Sequence, residues 1–232
     1  MAIVDGATIR GRSEERTFSD IEVRNTSFKM CHLPGASSPG DWNKIGDVAL
    51  TDVSQWNCSI DTTAIEDVSL HNLKRSGSAP LFLWGCVFRH VRLSGRLSGI
   101  KINRSVAIGS AASTAAQSAW DRATIDYYKG VDWALDISAA KFAGGVTFEA
   151  IPGDLIRRNP EIQVLLTRDR LSKTDWQAVD FDQTAIDLAL SWFLQGSLFD
   201  SVVVAARDEP KWAKRDVAVL DRLRAKGIAE RD

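Results

Sequence analysis

The chain has 232 residues, 44% hydrophobic and 25% charged, the balance of an ordinary folded protein with enough apolar mass for one large core or two small ones. A formal net charge of -1 excludes a uniformly polybasic nucleic-acid binder and a strongly acidic mimic of nucleic acid. Cys31, Cys58 and Cys86 are odd in number and widely spaced, which excludes a disulfide framework and points to a reducing cytoplasm without a structural zinc.

From the start, Met1-Ala2-Ile3-Val4-Asp5-Gly6 lacks the basic and apolar stretches of a secretory leader. No apolar run anywhere reaches the roughly 18–20 residues of a membrane span, so no membrane association is expected. From Phe18 an apolar residue recurs every five positions: Phe18, Val23, Phe28 and Leu33. The series resumes at Val48, Val53, Cys58, Thr63, Val68 and Leu73, and again at Leu83, Phe88 and Leu93. Two interruptions, Pro34–Gly46 and Lys74–Ala79, are rich in Gly, Ser and Pro and read as loops that preserve the numerical phase.

A five-residue period fits neither a helix, which repeats near 3.6, nor a plain strand, which repeats near 2. It fits a chain that turns a corner every five residues and stacks successive coils through backbone hydrogen bonds. The position two before each centre should also point inward. Ile21, Thr26, Cys31, Cys86 and Val91 suit that tight place, whereas Arg16, Trp56, Asp61, Glu66 and His71 do not.

On these residues, Phe18 to Phe28, Val48 to Leu73 and Leu83 to Leu93, the chain resembles the pentapeptide-repeat proteins over about residues 16–104. The resemblance implies a right-handed quadrilateral β-helix. The small residue that family prefers before each Leu or Phe is often missing, so the repeat is degenerate. The expected fold is a β-solenoid over 1–110 followed by a small α/β domain over 111–232.

The character of the chain changes in the Ala- and Ser-rich run Ser105–Gln117. Ala115–Lys129 reads as an amphipathic helix with Ala116, Trp120, Ala123 and Tyr127 on one face. Strands are expected at Val131–Ile137 and Gly145–Ile151, and a short helix from Pro152-Gly153-Asp154 to Arg158. Then follow a strand at Ile162–Thr167, a helix at Thr184–Leu194 closed by Gly196, a strand at Ser201–Ala206 and a helix at Lys211–Lys226 closed by Gly227. Such a domain would cover the open end of the coil.

Chemistry is sparse. The three histidines, His32, His71 and His90, have no metal-ligand spacing, and no nucleophile-elbow, zincin, phosphate-loop or dinucleotide motif occurs. A Cys86–His90 couple is outweighed by the inward position of Cys86. The acids Asp175, Asp180, Asp182 and Asp61, Glu66, Asp67 read as solvated. No catalytic residue, cofactor or metal is expected.

Local charge is more informative. Lys74, Arg75, Arg89, Arg92, Arg96, Lys101 and Arg104 form a basic band without one Asp or Glu among them. The band would meet nucleic acid or an acidic surface, or dock on the C-terminal half. Of eight tryptophans, Trp42, beside Asp41 in a loop, and Trp56, at a place too small for it, are the candidates for exposure. The expected partner-binding residues are therefore Asp41, Trp42, Trp56, Arg89, Arg92 and Arg96. The expected function is a non-enzymatic bacterial immunity protein that occludes a cognate toxin, with type VI-secreted proteins and nucleases among the candidates. The alternative is nucleic-acid binding through the band, or protection of a topoisomerase as in the family it resembles. That last activity needs a long, regular, negative rod, which this chain lacks.

Overall fold

A computed structural model describes residues 1–106, 114–144, 146 and 148–230. Its main feature is a curled parallel sheet of 14 strands. The first eleven strands are β1 (Ala2–Asp5), β2 (Thr8–Arg12), β3 (Thr17–Arg24), β4 (Ser27–Leu33), β5 (Asn43–Trp56), β6 (Ser59–Asp61), β7 (Thr63–Arg75), β8 (Leu81–Trp84), β9 (Val87–Arg89), β10 (Val91–Leu97) and β11 (Ile100–Asn103).

Pairing places side chains in four stacked rows. Val4, Val23, Leu50, Leu70 and Leu93 follow one another in the first. Ile9, Phe28, Gln55 and Arg75 form the second. Leu33, Ile60, Leu83 and Ile102 form the third, and Phe18, Ile45, Ile65 and Phe88 the fourth. Between rows the chain turns on left-handed residues at five-residue intervals: Asp20, Asn25, Met30, then Asp47, Asp52, Asn57, Thr62, Asp67, Asn72, then Gly85, His90, Gly95. Asp, Asn and Gly fill most of these places because they tolerate that conformation at least cost.

The numerical phase does not survive the two loops. Val23 lies opposite Leu50, 27 residues on, the separation that also brings the Cys31 amide to the Cys58 thiol. Leu50 to Leu70 is the regular step of 20, as between Asp52 and Asn72, and Leu70 to Leu93 takes 23, as between His71 and Ser94. Val48 therefore sits opposite Ile21, in the tight position, and Leu50 takes the place of a centre. This corrects the misfits. Trp56, Asp61, Glu66 and His71 fall outside the buried rows, because the loop inserts residues that a count by five cannot register. Arg16 keeps its register beside the buried Asn43, but its side chain is exposed, with Nε donating to Asn43 Oδ1 at 2.9 Å.

The sheet runs on beyond residue 110. After α1 (Thr114–Tyr128), the short strands β12 (Leu135–Asp136), β13 (Ala140–Phe142) and β14 (Ile156–Arg157) extend the parallel stack: Val91 pairs with Leu135, Leu97 with Phe142 and Leu135 with Ile156. An antiparallel pair follows, β15 (Gln163–Thr167) with β16 (Ser201–Ala205), alongside α2 (Arg168–Ser172), α3 (Ile186–Gly196) and α4 (Ala213–Ala225). One continuous hydrophobic core joins the stack to these elements, from Val23 to Ala229.

Most expected elements are present, with three corrections. The helix α1 buries Trp120, Thr124 and Tyr128, a stripe turned by about one residue from the expected face. Of the expected strand at Gly145–Ile151, Gly145 and Thr147 lie outside the described residues, and Phe148–Ile151 forms a turn closed by Ile151 N–H on the Phe148 carbonyl. The expected helix from Pro152 to Arg158 is one 3₁₀ turn, Gly153–Leu155, before β14. Tertiary contact explains it: a Cβ on Gly153 would lie 2.6 Å from the Val202 amide nitrogen, and Asp154 exchanges hydrogen bonds with Ser201. Among the described residues no helix is long and apolar enough to cross a membrane.

Candidate binding face

The sequence-expected residues go to different places. Asp41 accepts from Arg16, with the ion pair at 3.1 Å. Trp42 is half-buried, edge-on to Trp120 at 4.9 Å and near Tyr127, so it fastens α1 to the sheet instead of facing a partner. Arg89 is paired with Glu66 at 2.5 Å, and the Tyr127 hydroxyl donates to the same carboxylate. Burial, with that carboxylate second, pushes the Tyr127 hydroxyl well above its ordinary range. Arg92 lies over the Trp133 ring. Trp56 is 43% exposed, and Arg96 is exposed.

Much of the basic band is thus taken up within the molecule. Arg104 pairs with Asp121 of α1 at 2.6 Å. Lys101 sits over Trp192 of α3 at 4.0 Å, and burial lowers the pKa of its ammonium. The intramolecular reading of the band holds for these members.

Two histidine clusters appear that spacing along the chain does not reveal. His90 Nδ1 meets Asp67 at 3.1 Å and Nε2 meets Asp132 at 2.7 Å, while its ring lies tilted against Trp133, 4.8 Å between centroids. The Asp132 hydrogen bond, then Asp67, holds the imidazole pKa above its ordinary value, and His90 in turn lowers that of Asp132. A shallow cleft of about 270 Å³ lies between Asp67, Val68, Ser69, His90, Arg92 and Trp133. With both ring nitrogens committed, His90 does not form the couple with Cys86, whose buried thiol is pushed up to about 12.

The second cluster is a Ser–His–Asp line. His32 Nδ1 is 2.6 Å from Ser59 Oγ, and Nε2 is 3.8 Å from Asp61. Its second leg is too long for a hydrogen bond. The strand amides around it serve the stack, as Phe82 N–H does on the Cys58 carbonyl, instead of converging as oxyanion donors. It is a cross-strand polar contact.

One outer face of the stack carries cations that no neighbouring layer pairs. Arg10 lies opposite Lys29, and Lys29 opposite Trp56. Beside them run Thr8, Ser27, Ser54 and Lys74. Two strands further, Arg96 lies opposite Lys141. Among the described residues none of Arg10, Lys29, Lys74, Arg96 and Lys141 joins an ion pair. Residues 8–12, 27–30, 54–56, 74–76, 95–98 and 140–142 of these strands contain no Asp or Glu; Asp52 stands at the border of the face, joined to the Arg96 corner through Asn72, which donates to Asp52 and accepts from the Arg96 amide. Trp56 rests on Gly77, where a Cβ would come within 2.5 Å of Cδ1 of the indole. Met30, 56% exposed, stands in the neighbouring layer. Sequence reading found Trp56, Lys74 and Arg96 but missed Arg10, Lys29 and Lys141, which lie outside the band and join it only through strand register.

No protein-family model, no curated protein and no solved structure matches this chain.

Proposed function

We propose that the chain is a non-enzymatic binding module, built on a degenerate pentapeptide-repeat coil and completed by its α/β elements, that acts by occupying a negatively charged macromolecular partner. One observation carries this reading: five cations stand on one face around an exposed indole, and among the described residues none of the five joins an ion pair. Packing does not require that arrangement, and like charges held one layer apart oppose it. Exposed Trp ringed by Arg and Lys has the composition of an energetic centre in a binding interface.

Neutralisation of a toxin by occlusion is one form such a module takes, and this face suits a toxin with an acidic surface. A nuclease, whose active site must attract phosphate, presents the wrong sign. Protection of a topoisomerase by resembling nucleic acid also needs the opposite sign.

The test is to co-express the chain with the product of each neighbouring gene and measure growth. Protection that is lost in Trp56→Ala and Lys74→Glu, and kept in Lys173→Ala on α2, supports the module and its face. Protection unaffected by the face variants would count against it.

A further inference from the structure

We infer that the basic face is a track for single-stranded nucleic acid, with phosphates along its cations and an unstacked base on Trp56. The inference rests on the reading that this face is the working surface, and it names the ligand class.

Strands in a sheet recur about every 4.8 Å, so the six strands that build the face, β2, β4, β5, β7, β10 and β13, span about 24 Å. Cations stand at both ends of the run: Arg10 and Lys29 in the first two layers, then Lys74, Arg96 and Lys141 in the last three. In the layer between, the column that carries Arg10 and Lys29 carries Trp56. Hydroxyls line the same strip, and Ser54 Oγ lies 3.0 Å from Ser27 Oγ. These are the parts from which sequence-tolerant single-strand sites are made: positive charge that follows the backbone, and an aromatic plane on which a base stacks.

The geometry discriminates among polyanions. A flat sheet face is too broad to enter a duplex groove, which admits one helix or a two-stranded ribbon. The indole stands within the track, and only a base freed from its stack reaches it there. Gly77 beneath the ring fixes its height, because any side chain at that position would push the indole away. The cations step across the face from the column of Arg10 and Lys29 to that of Lys74 and then to the corner of Arg96, a path that the flexible backbone of a single strand can follow. Phosphate contacts and base stacking do not distinguish the two sugars, so DNA and RNA strands are both ligands.

Fluorescence anisotropy on the full chain tests this with labelled single-stranded DNA and RNA of about 10–16 nucleotides and a duplex of the same sequence. Both single strands should bind, and the duplex more weakly. The logarithm of affinity should fall with that of salt with a slope near -0.7 for each phosphate neutralised, so about -3 for four or five contacts. Lys29→Glu and Lys74→Glu should each weaken binding and flatten that slope. Trp56→Ala should cost about tenfold or more, while Trp56→Phe keeps much of the affinity. Gly77→Ala should weaken binding with the indole chemically intact, and Lys173→Ala should change nothing. Thermal melts confirm that each variant is folded.

Heparin, a polyanion without bases, separates the two levels of the reading. Face-dependent heparin binding with no binding to either single strand overturns the nucleic-acid assignment and leaves the face to an acidic protein. Binding of neither probe overturns both. Strand binding that survives the face variants overturns the track.

Discussion

At the corner that carries His90, each charge is answered one layer away: Asp67 lies on one side of the ring and Asp132 on the other. On the face that carries Lys29 and Lys74, no acid among the described residues pairs with the cations. Both regions are made by the same stacking of strands, so the backbone does not dictate the difference. It arises from which residue type falls in each column. A stack that needed only to be stable would alternate signs, as Glu66 and Arg89 do across β7 and β9. The unanswered charge on one face is the feature on which the proposed binding role rests.

The contrast can be broken or sharpened at four places. The strongest test is the buried extreme of pairing. Asp216 is 1% exposed and receives Arg207 through both guanidinium and backbone donors. Asp216→Asn should cost about 3 kcal/mol or more, because it removes the charge that compensates the partly buried Arg207 guanidinium. Urea unfolding that shows less than about 1 kcal/mol would mean that pairing matters little even here.

Next is the packing behind the basic face. Leu97 is fully buried in β10, directly after Arg96. Leu97→Ala should cost about 2–5 kcal/mol by removing contacts and leaving a cavity. The folded fraction should still bind ligand, since the cations remain outside. A thermal melt paired with a titration reads both.

His90 gives a smaller effect with a defined sign. Its pKa is raised on folding, so its contribution is present below the ordinary value of 6.5 and fades as pH rises through the raised value. Asp132 is shifted down, so its share is present above 3.8 and fades as pH falls through the lowered value. The clamp should be strongest in mildly acidic solution. Chemical denaturation across pH should show that maximum weakening in His90→Ala; equal pH profiles would remove the clamp.

The smallest effect falls on the face itself. Lys29→Glu, beside Arg10, should leave stability within about 0.5 kcal/mol of the parent, and on the favourable side, because it relieves like charges. Marked destabilisation would show that the cations serve the fold, and would erase the contrast.

How much of this was legible beforehand differs from residue to residue. The five-residue step announced a stacked parallel sheet, and the Asp, Asn and Gly corners at the same interval were a second signal open to reading. The step could not survive a loop, since only pairing reveals how many residues a loop inserts. Trp56 was legible as a side chain without a place inside. Arg10, Lys29 and Lys141 were not legible as a set, because they are far apart along the chain and meet only in register.

By itself, then, the sequence determined periodicity, burial preference and the inventory of charges, all of which are local properties of side chains spaced along a strand. The tertiary structure decided which charges neutralise one another. That depends on hydrogen-bonded register, which shifts whole columns when a loop gains a few residues. It left Arg89 and Arg104 paired, Trp42 under a helix, and a row of cations facing outward around one indole.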